Sequence, residues 1–180
     1  MSDEAKLSFL REHGVDVLAH SQRDLLAHLL GVRDLLRAWG ARASVCDAGL
    51  FHSVYGTEVF PTRSVPEGLR PVVRALIGDE AEALAFLFGV MVRESLIDNL
   101  YEDRAPFVES RLDDDELSIT AQQLRDLCDL YVANWLEQRD RFPARQRDGK
   151  RRELERMRGW LIVGGRAAVD EAYGFEGGAR

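Results

Sequence analysis

Apolar residues recur along almost the whole chain at the spacing of amphipathic helices, and the alternation that marks strands is nearly absent. The pattern predicts a short helix over residues 4–12, ending at Gly14. A longer one follows Ser21, an N-cap with Asp24 at N3, and runs to Trp39 before Gly40 supplies a C′ glycine. The next takes Ser44 to about Tyr55 and stops at Gly56. After a loop over 57–65, Pro66 opens a helix at N1 that reaches Ile77. Asp79 caps a strongly apolar helix that passes Leu84, Leu87, Phe88 and Met91 on its way to Leu100. Residues 101–119 read as the longest irregular segment. Thr120 and Gln123 form a capping box for a helix carrying Asp129. After Pro143 a basic amphipathic helix covers the core to about residue 172, with Gly164-Gly165 breaking or bending it, and Gly174 to Arg180 frays. The fold class is therefore all-α.

Composition sharpens this into one domain over residues 1–180, with a core over about 20–140 and a cover helix over about 143–172. A chain of 180 residues that is 46% hydrophobic has the material for a sizeable core and buries about 70% of its unfolded surface. The net charge of −7 argues against nucleic-acid and membrane partners, which select basic faces. The seven Lys/Arg between Arg145 and Arg158 sit in front of Leu154, Met157, Leu161 and Ile162, which makes them the solvated face of the cover helix. The acidic run Asp113-Asp114-Asp115-Glu116 reads as a solvated loop. Cys46 and Cys128 read as reduced thiols, and with no signal-peptide pattern the expected location is cytoplasmic.

The chemistry lies in two histidines placed on apolar helix faces. Leu25, Val32 and Leu35 stand at i−3, i+4 and i+7 from His28, and Ala48, Gly49 and Tyr55 share the face of His52. A buried imidazole requires a hydrogen-bond partner or a metal, because leaving it unpaired costs about 1–3 kcal/mol. Asp129 poses the same problem, with Val132, Ala133 and Leu136 on its own face. Ser53 beside His52 is no nucleophile, since no third group orients the base.

These residues carry a resemblance. His28 with Gly31-Val32, then Gly49-Leu50-Phe51-His52, then Ile77-Gly78, then Leu124-x-x-Leu127-x-Asp129 with Asn134 is similar to the HD-domain superfamily of metal-dependent phosphohydrolases, nearest its (p)ppGpp hydrolase branch. The string from Ala48 to Thr57 also resembles an uncharacterised bacterial family of this size. The HD resemblance implies an HD-like helical bundle and a divalent transition metal (Fe, Mn or Zn) held by His28, His52 and Asp129. Ser53 stands where the family has a metal-binding Asp, and Gly56-Thr57 stand where it has an acidic pair. Glu58, one step on, is the candidate catalytic base, and His20, Arg23 and Tyr55 are the candidate substrate-binding residues. The expected function is a hydrolase, or an oxygenase using non-haem iron, acting on a small phosphorylated or anionic metabolite. The alternative is a degenerate HD fold that binds a ligand or partner without catalysis.

Overall fold

A computed structural model describes residues 2–20, 23–100, 105–113 and 115–175, and these are mostly helical. Helix α1 (Asp3–Glu12) is capped by the Ser2 hydroxyl. Two residues each of β1 (Ala19–His20) and β2 (Arg23–Asp24) then pair antiparallel. The N-cap of α2 (Leu25–Ala38) is Asp24, whose carboxylate accepts from Ala27 N at 2.7 Å. The expected cap, Ser21, lies outside the described residues. Helix α3 (Ala43–Phe51) is shorter than its apolar pattern and ends with His52 at the C-cap. Pro66 introduces a 3-10 turn rather than a helix, and α4 (Arg70–Ile77) starts behind it with Pro71 in its first turn.

The apolar stretch from Asp79 to Leu100 is not one helix. It splits into α5 (Asp79–Val90) and α6 (Arg93–Asp98), with Met91 extended between them. The cause is tertiary. Strands β3 (Phe107–Glu109) and β4 (Glu116–Ser118) form an antiparallel hairpin inside the segment expected to be irregular. Val92 N donates to Glu109 O and Arg111 N to Val90 O, each at 2.8 Å. These bonds replace the i→i−4 ladder that the sequence alone favours.

Helix α7 (Ala121–Gln138) begins with the expected Thr120/Gln123 capping box and runs through the middle of the molecule. It packs on α2, α3 and α5, while α2 lies along α3 and α3 along α5. Leu29, Leu36, Leu50, Phe51, Leu124 and Leu127 are fully buried between these helices. Each contributes about 1.5–3 kcal/mol by leaving water.

In place of one cover helix the chain makes α8 (Ala144–Gly149), α9 (Arg151–Met157) and α10 (Val163–Tyr173). Gly164 and Gly165 do not break a helix; they lie in the first turn of α10. A Cβ at Gly164 would come within 2.5 Å of Trp39 Cα, so the pair lets α10 rest directly on the end of α2. Among the described residues no helix is long and apolar enough to cross a membrane.

Candidate functional site

His28 in α2 and His52 at the end of α3 meet in the core, with ring centroids 5.2 Å apart and edge-on. Both are buried. His52 Nδ1 lies 2.7 Å from Gly49 O, one of the carbonyls left without a helical donor where α3 ends. A carbonyl only accepts, so Nδ1 carries the hydrogen. His28 Nδ1 contacts the Glu137 carboxylate, which Arg141 also holds. Burial pushes the Glu137 carboxyl up, but its bonds to His28 and Arg141 prevail and hold it below the usual range. Glu137 is therefore ionised, and His28 Nδ1 donates to it.

A neutral ring whose Nδ1 donates presents a lone pair at Nε2. Both Nε2 atoms turn to one residue of α7: Asn134 Oδ1 lies 3.0 Å from that of His28 and 3.1 Å from that of His52. Three lone-pair donors thus converge. A primary amide resolves this in one of two ways. Turned with its NH₂ inward it donates one hydrogen to each ring; with its oxygen inward it completes a donor set for a cation.

Ser53, Thr57, Asn134 and Gln138 are the buried polar residues of a cleft of about 1110 Å³. Tyr131, Trp135, Phe142 and Phe60 supply its apolar walls, and the Trp135 and Phe142 rings stack at 5.2 Å. Arg93, Lys150, Arg152 and Arg156 line it together with Glu58, Glu94, Asp98 and Glu153. Lys150 Nζ is committed, donating to Tyr131 Oη at 2.6 Å and to Glu153 at 2.8 Å.

The predicted residues divide sharply. His28 and His52 are brought together. Asp129 is not directed to the cluster that they form with Asn134: its carboxylate accepts from Ile162 N at 3.1 Å, just ahead of α10. Five residues apart on α7, Asp129 and Asn134 project about 140° from one another. Among the described residues no three His, Cys, Asp or Glu side chains stand where they could hold a metal ion. Glu58 does line the cleft, and its carboxylate accepts from Arg93 N at 3.1 Å. Tyr55 faces away from the cleft; its buried hydroxyl donates to Glu82 at 3.2 Å. The side chains of His20 and Arg23 lie outside the described residues. Asn134 and Glu137 take roles not foreseen for them, and their i, i+3 spacing on α7 was the available signal.

Asp129 instead reports on the docking of α10. Burial raises its carboxyl from 3.8 to about 7, against the opposing bond from Ile162 N–H. Because the folded value lies above the unfolded one, the folded state binds the extra proton between those limits. Stability from this group is therefore greatest near pH 4 and declines as pH rises through 7. Asp129→Asn keeps the acceptor without the charge. It should stabilise the protein by about 4 kcal/mol at pH 8 and by almost nothing near pH 4. Urea unfolding of both proteins across that range checks this; parallel pH profiles would remove Asp129 as the cause.

A family model described as Domain of unknown function (DUF6817) matches residues 9–93. No curated protein and no solved structure matches the chain. The matched stretch contains His28 and His52, whereas Asn134 and Glu137 lie beyond it. In this chain, then, the similarity to that domain of unknown function spans the two histidines but not the helix that joins them.

Proposed function

We propose that the protein is a metal-dependent HD-type enzyme, a hydrolase of a small phosphorylated or anionic metabolite held in the cleft. His28, His52 and Asn134 would hold the metal, in place of the expected set with Asp129. One observation carries this reading: the two Nε2 atoms lie 3.0 and 3.1 Å from Asn134 Oδ1. Neighbouring donors on a six-coordinate ion with bonds of about 2.1 Å are about 3 Å apart, so the spacing fits. The imidazoles favour Fe²⁺, Mn²⁺ or Zn²⁺ over Mg²⁺. The metal, when bound, would polarise a ligand oxygen and lower the pKa of bound water.

The chain's own residues do the positioning. Glu137 and Gly49 O fix the ring tautomers and aim both lone pairs at one point. Ser53 leaves a neutral hydroxyl where the HD pattern has a carboxylate. With Asn134 also neutral, the charge of the ion is not offset by the donors nearest the cleft. A second reading rests on the amide itself. Turned over, Asn134 satisfies both rings with no ion, and the cleft is then that of an HD-like binding protein without catalysis.

Metal analysis of purified protein separates them, followed by titration of Mn²⁺ into EDTA-treated wild type, His52→Ala and Asn134→Asp. The enzyme reading expects close to one equivalent of Fe, Mn or Zn, lost in His52→Ala. Asn134→Asp, which adds an anionic donor, should bind about tenfold tighter or more. No metal in the purified protein and no binding to the wild type would leave the binding-protein reading in its place.

A further inference from the structure

Several arginines in this protein face carboxylates: Arg42 meets Asp126, Arg70 meets Glu82 and Arg158 meets Asp170. Arg93 differs. Among the described residues no carboxylate pairs with its guanidinium, although the half-buried side chain lines the cleft. Aromatic faces hold it instead, with its Cζ 5.7 Å from the Tyr131 ring centroid and 5.9 Å from that of Phe88. Phe88 in turn packs edge-on against His52, with centroids 5.1 Å apart. One aromatic ring thus separates the guanidinium from the histidine cluster. Glu58 accepts from the Arg93 backbone N–H rather than from the guanidinium. Lys150 is paired with Glu153, and Arg152 is exposed.

A guanidinium held by ring faces keeps its planar fork of N–H donors free and pre-aimed, which suits a carboxylate or a phosphate. In the same cleft Trp135, stacked on Phe142, offers an apolar wall. We infer that Arg93 is the anion-binding residue of the cleft, and that the ligand is a small organic oxyanion whose apolar part lies against Trp135. The inference rests on reading the cleft as the ligand site, whether or not the metal is present.

Calorimetric titration with phenyl phosphate, benzoate, inorganic phosphate and phenol tests it, on the protein as purified and after EDTA treatment. An organic oxyanion is expected to bind about tenfold tighter than neutral phenol, and phenyl phosphate against benzoate tells phosphate from carboxylate. Arg93→Ala should weaken that binding about tenfold or more. Arg93→Lys, which keeps a cation but loses the fork, should fall between. Trp135→Ala should weaken phenyl phosphate more than inorganic phosphate, and Arg166→Ala, on the exposed face of α10 and outside the cleft lining, should leave both unchanged. Wild-type affinity in Arg93→Ala, or no binding of any oxyanion to wild type, overturns the inference. Binding abolished by EDTA yet untouched by Arg93→Ala would place the anion on the metal alone, so the inference falls and the metal reading stands. Dependence on Arg93 in a protein that never holds metal would do the reverse.

Discussion

Asn134→Leu should lower the stability of the protein by about 2–5 kcal/mol, although leucine has the same branched skeleton of side-chain heavy atoms as asparagine. The reason is that one amide serves two buried rings. His28 Nε2 and His52 Nε2 both turn to it, and both Nδ1 atoms are already committed. Leucine takes away the amide to which both Nε2 atoms turn, at about 1–3 kcal/mol each. In a domain of this size that is a fall of roughly 5–15 °C in melting temperature. Denaturant unfolding, read at constant slope, measures the loss. His52→Phe removes one acceptor, so the double substitution should cost less than the sum of the two single ones. A loss below about 0.5 kcal/mol in Asn134→Leu would show that the rings do not depend on this residue.

Glu82→Ala should cost about 3–5 kcal/mol, the range for removing one partner of a buried ionic cluster. Glu82 is fully buried on α5. Its carboxylate accepts from Tyr55 Oη at 3.2 Å, Arg70 Nε at 2.6 Å and Arg74 Nη2 at 3.2 Å, which ties the end of the His52 segment to α4. Alanine strands a buried phenol and a partly buried guanidinium together. Arg74 is half-exposed, so Arg74→Ala should cost no more than about 1 kcal/mol. Calorimetric melting of both variants tests the ranking. Equal losses would mean that the carboxylate is not the hub.

The parts of the fold legible in the sequence were those governed locally. The Thr120/Gln123 box, the glycine after α2 and the burial of His28 and His52 all follow from a turn or two of sequence. Asn134 illustrates the limit. Its place in the site depends on which face α7 turns to α2 and α3; Asp129, on another face, is just as buried, so burial alone does not tell the two apart. The run from Leu84 to Met91 has Gly89 near its end but no Pro, and one glycine inside so apolar a stretch is a weak local signal for the break between α5 and α6. That break is imposed by a hairpin whose strands are three residues each. The glycine pair of α10 misled in the same way. Its meaning lies in the backbone of Trp39, more than a hundred residues away.

The stitched break between α5 and α6 also bears on how such a protein changes by descent. In an uninterrupted helix Phe88 and Arg93, five positions apart, would point about 140° from each other, and the guanidinium could not lie over that ring. The hairpin holds the break open through Val92, Arg111 and the bridge from Met91 to Ser110, and Glu109 N also donates to Ser95 Oγ on α6. A slip of one residue in those strands exchanges the faces of every side chain they present. Insertions and deletions in a surface hairpin are ordinarily among the most readily inherited changes. Here they would reset the aim of a cleft residue they never touch, so that loop length and the lining of the cleft would be inherited together.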